Sequence, residues 1–358
     1  MKINKVLKSK LHTIDVNNVS FGSTFTDHML ICRYKNGKWE EPEIMPFGTD
    51  IGLSPATMAV NYGQACFEGM KAFKNENDEV FLFRPDKNFE RINISAKRLA
   101  MPEIPKDVFM DGLQTFVDLE REWIPSELGK SLYLRPVLFA SEEMLLARIS
   151  EEYIFAILAT VANNYYSNPL KVKIADHYTR AANGGVGYTK AAGNYAASFY
   201  PTSLARDQGY DQIIWTDSIT HTYFEESGTM NVMVRINDTL ITPPVSDTIL
   251  NGVTRNSIIE LARKNGIEVK EEKINKNDVY KAHKDGSLKE MFGVGTAVIV
   301  NRFSEVGYEN ESLQLPAIDE KDSFAAKLKQ ELLLIQSGRS EDPFGWRVKV
   351  EEKNTVLN

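Results

Sequence analysis

One lysine stands alone in the stretch Ala181-Ala182-Asn183-Gly184-Gly185-Val186-Gly187-Tyr188-Thr189-Lys190-Ala191-Ala192-Gly193-Asn194-Tyr195. A quarter of the chain is Asp, Glu, Lys or Arg, so about six charges are expected among residues 181–205, yet Lys190 is the only one. Glycines, alanines and aromatics exclude water and favour the neutral amine, which is the form of a lysine that attacks aldehydes. The alternative is a lysine at a loop edge whose amine reaches water.

Length and charge narrow the class of protein. With 358 residues the chain exceeds one typical core, which favours two domains. A net charge of -7 argues against nucleic acid and anionic membranes, and favours a small-molecule ligand. Cys32 and Cys66 give no disulfide framework, the N-terminus has no apolar run of a signal peptide, and no run approaches 18 apolar residues. We therefore expect a cytoplasmic protein.

Local patterns predict mixed α/β structure in both halves. Asn36-Gly37 predicts a tight hairpin, and a second hairpin joins Met70–Phe73 to Val80–Phe83 before a helix with Asp86 near its N-cap. Residues 153–161 form a nearly continuous apolar strand, expected at a sheet centre. Polar, turn-rich residues 163–169 predict a linker. We expect an N-terminal domain of residues 1–162 and a larger domain of residues 170–358 that carries Lys190.

Further helices and strands are predicted in the second half. After Lys190 a helix of roughly Ala196–Gln208 is expected to end at Gly209, and a strand follows at Gln212–Thr216. The last predicted helix covers about Ser323–Gln336.

Two turns could bind an anion such as a phosphate. Asn251-Gly252-Val253-Thr254 precedes a predicted helix, so the amides of Val253 and Thr254, the Thr254 hydroxyl and the helix dipole point at one place. An ordinary glycine turn is the alternative. Gly293-Val294-Gly295-Thr296-Ala297 is a second, weaker candidate, because it lacks the third glycine of a dinucleotide fingerprint.

A carboxylate pair, Glu225-Glu226, precedes small and apolar residues. Neighbours in an extended chain face opposite ways, so at most one of the two is expected to point inward. The alternative is a solvated turn.

Together these residues resemble the branched-chain amino acid aminotransferases, which are fold-type IV pyridoxal-phosphate enzymes. The resemblance covers about residues 15–340. It rests on motifs in the family's order: residues 67–73 (FEGMKAF), 82–85 (LFRP), 133–137 (YLRPV), 184–187 (GGVG) with Lys190, 193–195 (GNY), 228–231 (GTMN) and 293–297 (GVGTA). Some animal members carry a Cys-x-x-Cys pair where this chain has Val298 and Asn301, so thiol regulation of that type is not expected.

The resemblance implies a role for each matched position. Lys190 would be the Schiff-base lysine and proton shuttle, Glu226 the partner of the pyridine nitrogen, and Tyr195 the hydrogen bond to the ring oxygen. The remaining cofactor positions, mostly for the phosphate, would be Arg91, Thr229, Val253, Thr254 and Thr296. The substrate pocket would be lined by Tyr62, Phe67, Tyr133, Arg135, Thr296 and Ala297, with Tyr62 contributed by a partner subunit. No metal site is expected.

The fold implied is two α/β domains with mixed sheets, the cofactor in the cleft, and at least a homodimer. The reaction implied is transfer of the amino group of leucine, isoleucine or valine to 2-oxoglutarate. D-amino-acid aminotransferase and aminodeoxychorismate lyase are alternatives on the same fold. A phosphate-ligand binding protein without turnover is the alternative from another class.

Overall fold

The chain forms two sheets in the computed structural model, which describes residues 1–16, 18–163 and 168–352. The elements up to residue 162 are β1 (Lys2–Ile3), β2 (His28–Lys35), β3 (Lys38–Trp39), β4 (Glu43–Pro46), α1 (Met58–Tyr62), β5 (Ala65–Phe67), β6 (Met70–Lys74), β7 (Val80–Phe83), α2 (Pro85–Arg98), α3 (Lys106–Leu119), β8 (Ser131–Ala140) and β9 (Tyr153–Ala162). Those that follow are β10 (Leu170–Ile174), α4 (Ala192–Asp207), β11 (Gln212–Thr216), β12 (Phe224–Ser227), β13 (Met230–Ile236), β14 (Thr239–Thr242), α5 (Val253–Lys264), β15 (Glu268–Glu271), α6 (Lys276–Lys284), β16 (Leu288–Gly295), β17 (Ile299–Tyr308), β18 (Glu311–Gln314), α7 (Phe324–Gln336) and β19 (Arg347–Val350).

The described residues form two compact units. The first holds the described residues up to 163, Thr189–Ala192 and the described residues from Leu333 onward; the second holds 168–188 and Gly193–Leu332. The contiguous domains predicted from sequence (1–162 and 170–358) depart from these units in two segments. Residues Thr189–Ala192 bond to β5, and β19 pairs antiparallel with β7, so both segments join the first unit. The predicted linker at 163–169 includes residues 164–167, which lie outside the described residues, and stays a prediction.

The sheet of the first unit runs in the order β1-β4-β2-β9-β8-β6-β7-β19. As predicted, β9 lies near its centre, antiparallel to β2 and β8, because residues of both its faces are buried. The hairpin at Asn36-Gly37 is confirmed, and both residues have the positive φ, 53° and 76°, that its turn type needs. Helices α2 and α3 pack on this sheet through an apolar core that includes Phe109 and Phe116.

The sheet of the second unit runs β12-β11-β10-β17-β16-β13-β14-β15 and mixes parallel and antiparallel pairs. Its core includes Val172, Val232 and Leu288. None of the described helices combines the length and the apolar character that crossing a membrane requires.

One predicted helix start is confirmed and one was wrong. The cap of α2 is Arg84, at φ 48°, and Asp86 lies in the first turn, near the N-cap as predicted, because Pro85 fixes the φ of the first helical position. Helix α4 begins at Ala192 instead of Ala196, so Tyr195 belongs to its first turn. The small residues Ala192, Gly193 and Asn194 are compatible with this earlier start.

Candidate active site

The backbone of Lys190 is fixed on two sides within the first unit. The Phe67 amide donates a hydrogen bond to the Lys190 carbonyl (3.1 Å), and the Lys190 amide donates to the Ser95 hydroxyl (3.0 Å). Cys66 and Ala191 form a β-bridge beside these bonds. The Lys190 ammonium lies 5.0 Å from the centroid of the Phe67 ring, within cation–π range. The isolated lysine is therefore half-buried and positioned by β5 and α2.

One face of α2 carries three polar side chains, and one of them, Ser95, contacts the Lys190 segment. Asn88, Arg91 and Ser95 follow each other at intervals of three and four residues, which places them on one side of the helix. All three are buried. The Ser95 hydroxyl donates to the Arg91 carbonyl (3.0 Å) while it accepts from Lys190, so the position of the lysine depends on this helical face.

Arg91 forms a buried ion pair with Glu68. The Arg91 Nε and Nη2 atoms donate to Oε1 and Oε2 of Glu68, both at 2.7 Å, and Asn88 Nδ2 donates to Oε2 at 2.8 Å. Such a two-bond contact fixes the plane of the guanidinium. The resemblance implied a cofactor role for Arg91 and gave Glu68 and Asn88 no role. The Phe-Glu-Gly motif contained a signal for the role of Glu68, because an acidic residue inside an apolar run is expected to be buried against a cation.

Phe67, Tyr133 and Arg135 form a cluster beside Lys190. The Arg135 guanidinium carbon lies 4.4 Å from the Phe67 ring centroid, and Arg135 Nη2 donates to the Tyr133 hydroxyl at 3.1 Å. Gly69 is required here because a Cβ at that position would lie 2.1 Å from the Tyr133 hydroxyl oxygen. Arg135 Nε is buried and has no hydrogen-bond partner among the residues described. The cluster thus offers an aromatic wall and a cation.

Arg180 connects the carboxylate of Glu226 to two loops of the second unit. Its Nε lies 3.3 Å from Glu226 Oε2, and its Nη2 donates to the carbonyls of Gly187 (2.9 Å) and Thr248 (2.5 Å). Glu226 Oε1 accepts from the Leu250 amide at 2.6 Å. A neighbouring guanidinium favours the ionised form of a carboxylate. Sequence reasoning missed Arg180 because its partners are remote in sequence.

Both glutamates of the pair are buried, which rules out the solvated turn; that at most one of them points into the site stays a prediction. Glu225 is less well satisfied, since its Oε2 has no hydrogen-bond partner within the described part of the chain. Burial raises the pKa of Glu225 to about 7, against the opposing influence of a hydrogen bond with Thr248 and the charge of Arg180. The two carboxyl groups therefore differ: Glu226 is ion-paired, whereas burial favours the protonated form of Glu225.

The glycine loop after Arg180 packs closely on the segment around Thr248. A Cβ on Gly187 would lie 2.4 Å from the Ala181 Cβ and 2.8 Å from the Asp247 carbonyl oxygen. The Gly184 amide donates to Asp247 at 3.1 Å, with Gly184 at φ 73°. Only glycine fits these positions, which explains the glycines that precede Lys190.

Three strands align Glu226 with the two predicted anion turns. Glu226 pairs with Asn231 on β13, and Asn231 pairs with Val294 on β16, one residue before the turn that contains Thr296 and Ala297. Asn231 Nδ2 also donates to the Leu250 carbonyl at 2.9 Å, which ties the loop before α5 to the same row. The structure therefore brings the carboxylate and both turns together.

The first turn of α5 has no side-chain cap. Gly252 occupies the N-cap, and a Cβ there would lie 2.0 Å from Asn231 Oδ1, so the close approach needs glycine. Val253 and Thr254 open the helix and are buried. Uncapped amides at the positive end of a helix dipole suit an anion. Thr229, predicted to bind the cofactor, is exposed in the β12–β13 turn, and Tyr195 is half-buried.

Tyr62 lies at the end of α1. It is 44% exposed, and its hydroxyl donates to the Leu145 carbonyl. Its place in a substrate pocket stays a prediction.

The chain is similar to known proteins in both sequence and fold. The sequence signature described as amino-transferase class IV matches residues 65–301. Branched-chain-amino-acid aminotransferase 2 of Bacillus subtilis is 40% identical over 340 residues, covering 94% of this chain and 93% of that protein. A probable branched-chain-amino-acid aminotransferase of Staphylococcus aureus is 41% identical over 98% of each chain.

Among solved structures, the branched-chain aminotransferase of Thermoproteus uzoniensis superposes with a TM-score of 0.74 at 22% identity, covering 90% of this chain and 100% of that one. At that identity the likeness concerns the fold, which is the two-domain mixed α/β fold predicted from the sequence. The chain belongs to the class IV amino-transferase family.

Proposed function

We propose that the chain is a branched-chain amino acid aminotransferase that uses pyridoxal 5'-phosphate to transfer the amino group of leucine, isoleucine or valine to 2-oxoglutarate. The observation that carries the proposal is identity of about 40% along 94% of the chain to enzymes with that name. The fixed lysine and the ion-paired buried carboxylate support it, since a transaminase needs both.

The donor groups fit this cofactor. Pyridoxal phosphate presents an aldehyde, a ring nitrogen that is best protonated, a ring oxygen and a dianionic phosphate. The chain offers a positioned lysine, a carboxylate paired with Arg180, and an uncapped helix N-terminus after a glycine that no larger residue can replace. Each chemical demand thus has a residue of the matching type.

In the first unit, Lys190 is the residue that bonds the cofactor, and Arg91 binds the phosphate. Glu68 positions Arg91 by holding two of its nitrogens. Ser95 positions Lys190 through its main-chain amide.

In the second unit, Glu226 would hold the ring nitrogen and Tyr195 would donate to the ring oxygen. The amides of Val253 and Thr254 and the turn at Thr296 bind the phosphate, and Thr229 contributes from the exposed β12–β13 turn. Arg180 keeps Glu226 in place and supplies the positive charge that favours its carboxylate form.

The bound cofactor supplies an electron sink that stabilises negative charge at the substrate's α-carbon. Once the substrate's amino group has displaced it from the cofactor, the free Lys190 amine would take the proton from that carbon and later give a proton to the same carbon of the second substrate, acting as general base and then general acid. The backbone of Lys190 is held at both its amide and its carbonyl, so the side chain that carries the amine extends from a fixed backbone position.

The substrate side chain has to be accepted in two forms. Phe67 and Tyr133 offer apolar surface for leucine, whereas Arg135 offers a cation for the distal carboxylate of 2-oxoglutarate. Arg135 suits this role because its buried Nε has no hydrogen-bond partner among the described residues and is available to donate to that carboxylate. In the second unit, Thr296 and Ala297, in the turn between β16 and β17, would also contact the substrate.

The active form is a homodimer in which Tyr62 enters the partner's site. Exposed apolar side chains around α1 support this: Leu53, Val60, Tyr62, Leu145, Leu146 and Ile149. They lie on segments joined by the Thr57–Glu143 bridge and by the bond from the Met144 amide to the Ala56 carbonyl. A contiguous apolar surface of this kind is typical of an interface.

The oligomeric state can be measured by analytical ultracentrifugation. We expect the mass of two chains, and Val60→Asp should shift it toward one chain. A wild-type monomer with full activity would contradict the dimer.

A substrate panel tests the function. The purified enzyme should transaminate L-leucine, L-isoleucine and L-valine with 2-oxoglutarate, and leave D-alanine and aminodeoxychorismate unchanged. Turnover of either of the latter instead would favour the alternatives on the same fold, and binding without turnover would favour a binding protein. The proposal includes a cytoplasmic location, which cell fractionation can check.

A further inference from the structure

A pocket of about 210 Å³ lies in the second unit, apart from the residues described above. It is lined by the start of β17 and the first turns of α7, and its lining residues include Asn301, Arg302, Glu320, Ala325 and Lys329. Two of these side chains are cations, and neither takes part in the proposed transamination.

The two cations have no anionic partner among the described residues. Arg302 donates one hydrogen bond, from Nη1 to the Ile318 carbonyl at 3.3 Å. The Lys329 amine makes no hydrogen bond or ion pair with any residue that the structure describes. Glu320 is exposed at the rim and forms no ion pair with either cation within the same residues.

Arg302 and Lys329 are half-buried, and three other arginines of this unit that expose little of their side chains behave differently. Arg180 pairs with Glu226, Arg235 with Glu290, and Arg255 with Glu271. A buried charge is costly unless it is paired, and two like charges side by side add repulsion. The Arg302 and Lys329 pair therefore departs from the pattern of its own unit.

The environment of Lys329 shows the cost. Burial lowers its pKa, and the positive charge of Arg302 lowers it further. Ala325 and Ala326 add the positive end of the α7 dipole, although Glu290 and the Ser323 hydroxyl already accept hydrogen bonds from the amides of the first turn. A bound anion would offset all of these positive contributions at once.

We propose that the pocket formed by Arg302, Lys329 and the N-terminal turns of α7 binds a small anion that carries a phosphate or carboxylate group. The volume equals that of about seven water molecules, at about 30 Å³ each, which suits a group of this size. Arg302 contributes a planar fork for two oxygens, and Lys329 contributes a point charge. The site is independent of the proposed transamination.

Isothermal titration calorimetry on the holoenzyme tests the proposal, because the enzyme's own phosphate site is then filled by the cofactor. The probes are inorganic phosphate and acetate, each against chloride at equal ionic strength. Phosphate or acetate should bind, and Lys329→Met and Arg302→Met should each weaken binding about tenfold or more, the loss of one charge-assisted contact. Tighter binding of one probe identifies the anionic group of the ligand, a phosphate or a carboxylate.

The matched control is Lys327→Met. Lys327 lies on α7 two residues before Lys329, so it points to a nearly opposite side, and it is exposed. This variant should bind the probe like the wild type. Equal binding by all four proteins, or no binding of either probe at about 20 mM, would overturn the proposal.

Thermal unfolding gives a second readout. Without the anion, Lys329→Met should unfold at the same or a higher temperature than the wild type, because an unpaired, partly buried charge has been removed. Phosphate should raise the unfolding temperature of the wild type and of Lys327→Met, but not of Lys329→Met. A lower unfolding temperature of Lys329→Met together with an unchanged phosphate effect would assign Lys329 a structural role and contradict the site.

Discussion

Replacing Glu68 with glutamine removes one negative charge from beside Arg91 and leaves the size of the side chain unchanged. Glu68 is fully buried and accepts from Arg91 twice at 2.7 Å and from Asn88 at 2.8 Å. Breaking a buried ion pair from one side costs about 3–5 kcal/mol, because the other charge stays buried without its partner. Glutamine keeps one acceptor oxygen, so we expect the lower end, about 3 kcal/mol in the free energy of unfolding.

The same change should weaken cofactor binding. Arg91 then loses the contact that fixes its guanidinium plane, and a charge-assisted hydrogen bond is worth about 1.5–3 kcal/mol, or about 10- to 100-fold in the Kd of pyridoxal phosphate. The measurements are urea unfolding of the apoenzyme and titration of the apoenzyme with the cofactor, followed by its visible absorption.

Glu90→Gln is the matched control on the same helix. Glu90 forms an exposed pair with Lys87, so this change should alter the free energy of unfolding by less than about 1 kcal/mol and leave the cofactor Kd unchanged. If Glu68→Gln lost stability but bound the cofactor normally, Glu68 would be a structural residue only. If it matched Glu90→Gln in both measurements, the buried ion pair would not have the assigned importance.

Three further changes test other parts of the site. Tyr195→Phe should raise by about one unit the pH at which the holoenzyme's visible band shifts, since one charge-assisted bond is lost; an unchanged titration would remove Tyr195 from the site. Arg135→Ala should reduce kcat/KM for the half-reaction with 2-oxoglutarate by about two to four powers of ten and that with leucine far less, measured by single-turnover spectroscopy; equal losses would mean that another residue reads the dicarboxylate. Glu225 has a pKa raised from 4.5 to about 7, so between these pH values the folded state binds more protons than the unfolded state and the free energy of unfolding falls as pH rises. Glu225→Gln should remove about 1–3 kcal/mol of this fall between about pH 5 and 8. An unchanged dependence of the unfolding free energy on pH would show that Glu225 does not titrate in that range.

Local patterns predicted those elements that short-range rules determine. The hairpin at Asn36-Gly37 follows from two positions that need positive φ, and β9 follows from a continuous apolar run. The strand β11, predicted at Gln212–Thr216, has those bounds in the structure. Such features depend on neighbours in sequence, so the sequence contains enough information to predict them.

Features set by remote partners were not predicted. The strand β19 pairs with β7 across more than 250 residues of sequence, and the residues of neither strand indicate which other strand it pairs with. Arg180 likewise contacts Glu226 and Thr248, which no local spacing relates to it. The isolation of Lys190 was visible in the composition, but the attachment of its backbone to Phe67 and Ser95 required the fold.

The roles of individual site residues came from the resemblance, and the structure adds how they are supported. Glu68 and Asn88 orient Arg91, Ser95 holds the lysine segment, and Asn231 fixes the loop that opens α5. These supporting residues are polar and buried, which composition alone does not distinguish from core packing.

The central claim is that Lys190 is the residue that bonds the cofactor. Borohydride reduction of the holoenzyme, followed by proteolysis and mass spectrometry, fixes the cofactor to the lysine that holds it and identifies that lysine. We predict the pyridoxyl mass on the peptide that contains Lys190, and none in Lys190→Ala prepared in the same way. The label on any other lysine, or undiminished labelling and turnover in Lys190→Ala, would contradict the account.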